Sequence, residues 1–162
     1  MYTSGKWNFD DKSPELISAV EDYSSGGAIL ILGCGNASIV AHLKRDTFQY
    51  LLGIDISPEA ISMARRHADE KVHFEVGNIR EYHCARKFDV ILFAESLYYI
   101  KAIERESILK RYCRQLTPNG CIIVTVVNPN GYRDIIQMIR TNFKVLREAH
   151  FEGADRFLLV FR

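Results

Sequence analysis

Excess charge of either sign is missing from this chain: 21 lysines and arginines face 20 aspartates and glutamates over 162 residues, a formal net charge of +1. That balance leaves no basic footprint for a nucleic-acid backbone, and a short run such as Arg65-Arg66-His67 reads as a solvated helix face. The four cysteines (Cys34, Cys84, Cys113 and Cys121) include no C-x-x-C pair. A disulfide scaffold is therefore excluded, and reduced thiols in a cytoplasmic setting are expected. No His, Cys and carboxylate cluster has metal spacing, so no metal is inferred. No apolar run approaches a membrane span, and the opening Met1-Tyr2-Thr3-Ser4-Gly5-Lys6-Trp7 lacks an apolar signal core. Repeats, linkers and low-complexity tracts are also absent. What remains is an ordinary globular composition, 48% hydrophobic and 25% charged. It suits one domain over 1–162, with 1–12 as an N-terminal arm and 13–162 as the core.

The richest signal is Ala28-Ile29-Leu30-Ile31-Leu32-Gly33-Cys34-Gly35-Asn36-Ala37-Ser38, followed by Leu51-Leu52-Gly53-Ile54-Asp55. A continuous apolar run reads as a strand buried on both faces. Glycines at its end let backbone pass close beneath a ligand, and a helix expected over 37–44 would add unpaired N–H groups. The second run delivers Asp55, twenty residues after Gly35, where a carboxylate can accept both hydroxyls of a ribose. The pattern describes a nucleoside site.

Strands are expected over 28–32, 50–54, 72–76, 88–93 and 121–127. Between them come helices over 58–69 and 103–115, then a helix over 132–142 and a closing hairpin that includes 157–161. Ser13-Pro14-Glu15 and Ser57-Pro58-Glu59 both read as an N-cap, a first-position proline and an acidic first turn. Leu116-Thr117-Pro118-Asn119-Gly120 reads as a turn. Alternation of this kind predicts a doubly wound α/β fold with helices on both faces of a parallel sheet and ligands at the strands' carboxyl ends.

A nicotinamide fingerprint would place a glycine where Ser38 stands, and no second half-fold is present to hold a hydride acceptor. Across almost its whole length the chain instead resembles the class I S-adenosylmethionine-dependent methyltransferases. The resemblance runs through Leu32-Gly33-Cys34-Gly35, Gly53-Ile54-Asp55-Ile56-Ser57, Phe74-Glu75-Val76-Gly77-Asn78-Ile79, Phe88-Asp89-Val90-Ile91 and Leu116-Thr117-Pro118-Asn119-Gly120. It implies a Rossmann-like sheet of seven strands, the last antiparallel and inserted between the fifth and sixth. It implies S-adenosyl-L-methionine as cofactor and S-adenosyl-L-homocysteine as product. It also implies roles for matching positions. Gly33, Cys34 and Gly35 would pass under the methionine portion, Asp55 would hold the ribose, and Ile56 would lie on the adenine face. Asn78 and Ile79 would meet the adenine edge, and Ala94 would offer its carbonyl to the methionine amino group. The pattern is broken at Ile31, where many relatives carry an acid, and at Ala37, where many carry a third glycine. It is broken again at Asn78, where Asp is usual, although an amide oxygen still accepts the adenine amino group.

Within that class, Glu95-Ser96-Leu97-Tyr98-Tyr99 is similar to the run after strand four in small-molecule N-methyltransferases of the nodulation-factor type. Two readings stand for Glu95 and Tyr98: an amine-orienting acid and a wall of the methyl-transfer site, or a solvated loop residue and a packing ring. For Tyr99, packing is favoured. Trp7, in the arm, is read either as a lid over the cofactor or as packing on the sheet edge. Asn128, Asn130 and Tyr132 touch substrate or only build a turn, while His42 and His73 read as structural.

The sequence therefore predicts methyl transfer to a small-molecule acceptor, at nitrogen in preference to oxygen. The alternatives are an RNA or protein methyltransferase and a non-catalytic cofactor-binding module. No nucleic acid or membrane partner is expected. The short connection after strand five predicts an open active face covered by a homodimer partner or a neighbouring domain.

Overall fold

The computed structural model describes residues 13–162. Seven strands, β1 (Ala28–Leu32), β2 (Tyr50–Asp55), β3 (Val72–Val76), β4 (Phe88–Ala94), β5 (Leu116–Val127), β6 (Val145–His150) and β7 (Arg156–Phe161), form one sheet. Their order is β3-β2-β1-β4-β5-β7-β6. β1 to β5 pair in parallel, and β7 runs antiparallel to both β5 and β6, as the resemblance implies. The chain order reverses between β1 and β4, so the ends of those two strands border the crevice where this architecture binds ligands.

The residue types explain the layers. β1 is buried at every position, which an unbroken Ala-Ile-Leu-Ile-Leu run tolerates because both faces are covered. Ile29, Ile31, Leu51, Val90, Leu92 and Ile123 belong to one core, and Leu30, Leu32, Leu52, Ile91, Phe93 and Ile122 to the other. The first core is covered by helices α1 (Pro14–Ser24), through Leu16, Ala19 and Val20, and α2 (Pro58–Ala64), through Ile61 and Ala64. The second is covered by α3 (Ala102–Cys113), through Ile108, Leu109 and Tyr112, and α4 (Arg133–Asn142), through Ile135, Ile136 and Ile139. Spacings of three and four keep each of these sets on one helical face.

Three local expectations need correction. The helix expected over 37–44 is only a four-residue 3-10 turn, Ser38–Ala41. Ala37 sits at φ +55°, β-branched Ile39 and Val40 must both reach the core, and the Asn36 side chain takes the Ser38 N–H at 3.1 Å. Together these prevent a regular helical start. The turn expected over 116–120 is an irregularity inside β5, where Leu116 pairs with Phe88 but Cys121 already pairs with Val90. Finally, the two Ser-Pro-Glu starts differ. Ser57 Oγ caps α2 by accepting the Ala60 N–H at 3.2 Å, whereas Ser13 makes no cap bond and its hydroxyl accepts from Arg156 at 2.8 Å.

Candidate active site at the carboxyl edge of the sheet

The loop after β1 is shaped by backbone geometry. Gly33 and Gly35 lie at φ +72° and +54°, a region that costs an L-residue about 1–2 kcal/mol. A Cβ on Gly33 would stand 2.7 Å from Ser96 Cβ, while one on Gly35 would meet nothing within 4 Å. Gly33 therefore lets two loops touch, and Gly35 turns a bare backbone face outward. Ile54 carbonyl oxygen accepts both the Gly33 and Cys34 N–H groups at 2.9 Å.

Asp55, at the end of β2 and only 7% exposed, completes the clamp. Its Oδ2 accepts the Gly35 N–H and its Oδ1 the Ser57 N–H, both at 2.9 Å. A carboxylate has about four acceptor sites, so two neutral backbone donors leave capacity for hydroxyls approaching from solvent. The acid missing at position 31 is not needed to hold this turn: Ile31 is buried in the core, and Asp55 and Ile54 accept the loop's N–H groups instead. Cys34 is a packed side chain and not a nucleophile, because burial and then the Asp55 charge push its thiol far above the usual range.

Ile56 follows the buried Asp55 and is 68% exposed. An exposed large aliphatic side chain beside a clamped acid fits a flat apolar ligand face. In the loop after β3, next to β2, Asn78 Oδ1 accepts the Arg80 N–H at 3.0 Å. Ile79 is held by its carbonyl, which accepts from the Tyr112 hydroxyl at 2.7 Å and from Arg111 Nη2 at 2.8 Å. Among the described residues no hydrogen bond uses the Ile79 N–H, which leaves it for an incoming acceptor. The residues present thus fit an adenosine-like group: an open glycine backbone, an acid with spare acceptor sites, an apolar plate and a spare amide donor.

The loop after β4 is built from side chains. Ala94 ends β4 opposite Thr125, and the Thr125 hydroxyl accepts the Glu95 N–H at 3.0 Å. Glu95 takes φ +53° and is 8% exposed. Its Oε1 lies 2.5 Å from Arg156 Nη2 at the start of β7, and the Arg156 guanidinium also covers the Phe151 ring at 4.5 Å. Ser96 Oγ donates to the Leu32 carbonyl at 2.7 Å, tying this loop to the glycine loop. Of the two readings of Glu95, the solvated one does not match this burial.

Tyr98 lies in the 3-10 turn Leu97–Tyr99 and is half-buried. Its ring stacks on Tyr132 at 5.0 Å and 18°, and Tyr99 tilts against it at 4.9 Å. Burial first, then the Glu95 charge, raises the Tyr98 phenol above its ordinary range, so the group is a hydrogen-bond donor at neutral pH. Tyr99 is 70% exposed, against the packing favoured for it. Tyr132 is brought to this wall. Asn128 and Asn130 instead hold their own turn, with Asn128 Oδ1 accepting from Gly131 N–H and Asn130 Oδ1 from Arg133. His73 stacks on Tyr50 at 5.1 Å within the sheet. Trp7 lies outside the described residues.

Sequence reasoning missed Arg156, Arg105 and Thr125. Thr125 sits inside a strand pattern and Arg105 inside a helix pattern, while Arg156 stands one residue ahead of the expected strand 157–161. The one available signal was a polar residue at an otherwise apolar strand position, Thr125. Among the described residues, no group of three or more His, Cys, Asp or Glu side chains is placed to hold a metal ion, and no helix is long and apolar enough to cross a membrane.

The sequence and the fold match known proteins. A family model described as a methyltransferase domain matches residues 23–155, and the chain belongs to that family. Nodulation protein S of Rhizobium tropici is 31% identical over 97 residues, 58% of this chain and 40% of that protein. Ubiquinone biosynthesis O-methyltransferase of Bradyrhizobium diazoefficiens is 29% identical over 108 residues, 65% of this chain and 42% of that enzyme. The chain thus spans well under half the length of these two relatives. Among solved structures, the N-methyltransferase NodS from Bradyrhizobium japonicum WM9 in complex with S-adenosyl-l-homocysteine superposes with a TM-score of 0.80 at 20% identity. That match covers 99% of this chain and 93% of that one.

Proposed function

We propose that residues 13–162 form one catalytic core that uses S-adenosyl-L-methionine to methylate a small-molecule acceptor, at nitrogen in preference to oxygen. The observation that carries this reading is the clamped Asp55 beneath the open Gly35 backbone and beside the exposed Ile56. When bound, the cofactor supplies a methyl group on a sulfonium with a thioether leaving group. The chain's part is to bind and align. Gly33, Cys34 and Gly35 underlie the amino-acid end, Asp55 accepts from the ribose hydroxyls and Ile56 covers one adenine face. Asn78 and the Ile79 N–H meet the adenine edge, the Ala94 carbonyl accepts from the amino group, and Trp7 of the arm closes over the cofactor.

Alignment supplies much of the acceleration for such a displacement, and a base is needed only where the nucleophile arrives protonated. Tyr98 stays protonated, and the Glu95 carboxylate is committed to Arg156. We therefore assign Glu95 to orienting the acceptor and Tyr98 to walling the methyl-transfer site, with neither removing a proton. An acceptor that is nucleophilic without first losing a proton suits this edge, which favours a neutral amine, whose proton leaves to solvent after transfer, over a hydroxyl, which needs a base.

Only five residues, 128–132, join β5 to α4, a short cover for an acceptor. We assign the remaining cover to the arm, a second copy or a neighbouring domain. The central test is calorimetric titration with S-adenosyl-L-homocysteine, followed by incubation with methyl-labelled cofactor and separate counting of metabolite, RNA and protein fractions. Thioether binding with label in the metabolite fraction is expected. Label in RNA or protein, or binding with no transfer, rejects the small-molecule reading. Sedimentation of an isolated monomer with full activity rejects cover by a partner.

A further inference from the structure

We propose that Arg105 is the positioning residue of the acceptor wall, setting the loop after β4 and the start of α4 in one register. In doing so it fixes the face that Tyr98 and Tyr132 present. The inference deepens the methyltransferase reading and rests on it only for the word acceptor. Arg105 lies on α3 and is 9% exposed, a rare placement for a charged residue. Its donors reach three groups on two segments. Nε donates to the Ile100 carbonyl at 2.9 Å, Nη2 to the Tyr98 carbonyl at 3.4 Å, and Nη1 to Asp134 Oδ2 at 2.6 Å.

The segments are the two that carry the stacked rings. Tyr98 and Ile100 bracket the end of the three-residue 3-10 turn, too short to hold itself in place. Asp134 lies in the first turn of α4, two residues beyond Tyr132. One planar fork therefore spans the backbone beneath one ring and the helix start beneath the other. A lysine ammonium, a point charge on a flexible stem, cannot reproduce that fork.

Stability alone does not account for a guanidinium here. Burying one costs several kcal/mol, and an apolar side chain of similar volume often does as well or better. The Asp134 side chain is 59% exposed, so that half of the pairing is screened by water. What an apolar residue cannot do is hold the carbonyls of Tyr98 and Ile100 at a fixed distance from α4.

The test reads the tyrosine band in near-ultraviolet circular dichroism, beside thermal melting and titration with S-adenosyl-L-homocysteine. It compares the unmodified protein with Arg105→Lys, Arg105→Met and Tyr98→Phe. Both Arg105 variants should lose as much of the tyrosine signal as Tyr98→Phe does, while thioether affinity stays within about twofold, as for separate sites. If Arg105→Lys keeps the signal, charge pairing with Asp134 suffices and the proposal is overturned. Parallel loss of signal and thioether affinity also overturns it, because Arg105 then supports the whole edge. Should Arg105→Met fail to fold, the lysine variant decides alone. An unmodified protein that ignores the thioether overturns the methyltransferase reading instead, and the tyrosine band still decides whether Arg105 sets the stack.

Discussion

Two loops meet at the carboxyl edge of the sheet and are held by different means. The loop after β1 is fixed through its backbone, with positive φ at Gly33 and Gly35 and N–H groups accepted by the Ile54 carbonyl and the Asp55 carboxylate of β2. The loop after β4 is fixed by side chains from elsewhere: Arg156 from β7, Arg105 from α3 and Thr125 from β5. Backbone clamping suits a site for one invariant ligand. Side-chain clamping can be re-specified residue by residue, which suits the half that we propose faces the acceptor.

That contrast can be broken most sharply at Arg156. Removing one partner of a buried ion pair takes away a charge that offsets the other's burial, at about 3–5 kcal/mol. Arg156→Met should therefore melt far earlier than the unmodified protein in calorimetry, and Glu95→Gln added to it should recover much of the loss. An unchanged melt would mean that solvent already screens the pair.

The backbone-held loop should give way at Gly33. Gly33→Ala combines an L-residue at positive φ with overlap on Ser96, about 2–4 kcal/mol in all, and should cost both stability and thioether affinity. Next in size, Asp55→Ala removes the acceptor for two backbone N–H groups. Thioether affinity measured by calorimetry should fall by about 1–3 kcal/mol; an unchanged affinity would move the ribose elsewhere.

Alkaline pH should separate the loops more gently. The Tyr98 phenol is raised by burial and then by Glu95, so its stabilising contribution is whole below the ordinary tyrosine pKa of about 10 and fades as pH climbs past it. Melting temperature should drop more steeply above that point in the unmodified protein than in Tyr98→Phe.

The smallest effect belongs to a solvent-facing pair that joins α4 to β6. Arg140 grips Glu148 with two bonds of 2.8 Å. The Arg140 hydrogen bond chiefly lowers the Glu148 pKa, so that contribution is present above the ordinary glutamate range and is lost on acidification through the lowered value. Arg140→Ala should cost no more than about 1 kcal/mol, and high salt should erase the difference.

The same contrast explains what could be read from the chain alone. β1, β3, the alternation of layers and the glycine loop all express nearby residue types, so apolar runs and turn glycines announced them. Asp55 was legible because its distance from Gly35 is itself a local pattern. The partners of Glu95 were not, since nothing near Glu95 says that an arginine on a different strand will reach it. The helix expected over 37–44 failed for a related reason: the core beneath Ile39 and Val40 and the left-handed Ala37 decide the geometry.

The four-residue turn Ser38–Ala41 carries a consequence for selectivity among adenine compounds. Phosphate is drawn to the start of a full helix, where aligned peptide dipoles and free amides converge. One short 3-10 turn musters little of that field, and the acid at Asp55 repels anions outright. Phosphorylated nucleotides, abundant in any cell, should therefore compete poorly here with a nucleoside that carries a positively charged sulfur in place of a phosphate at its 5′ carbon.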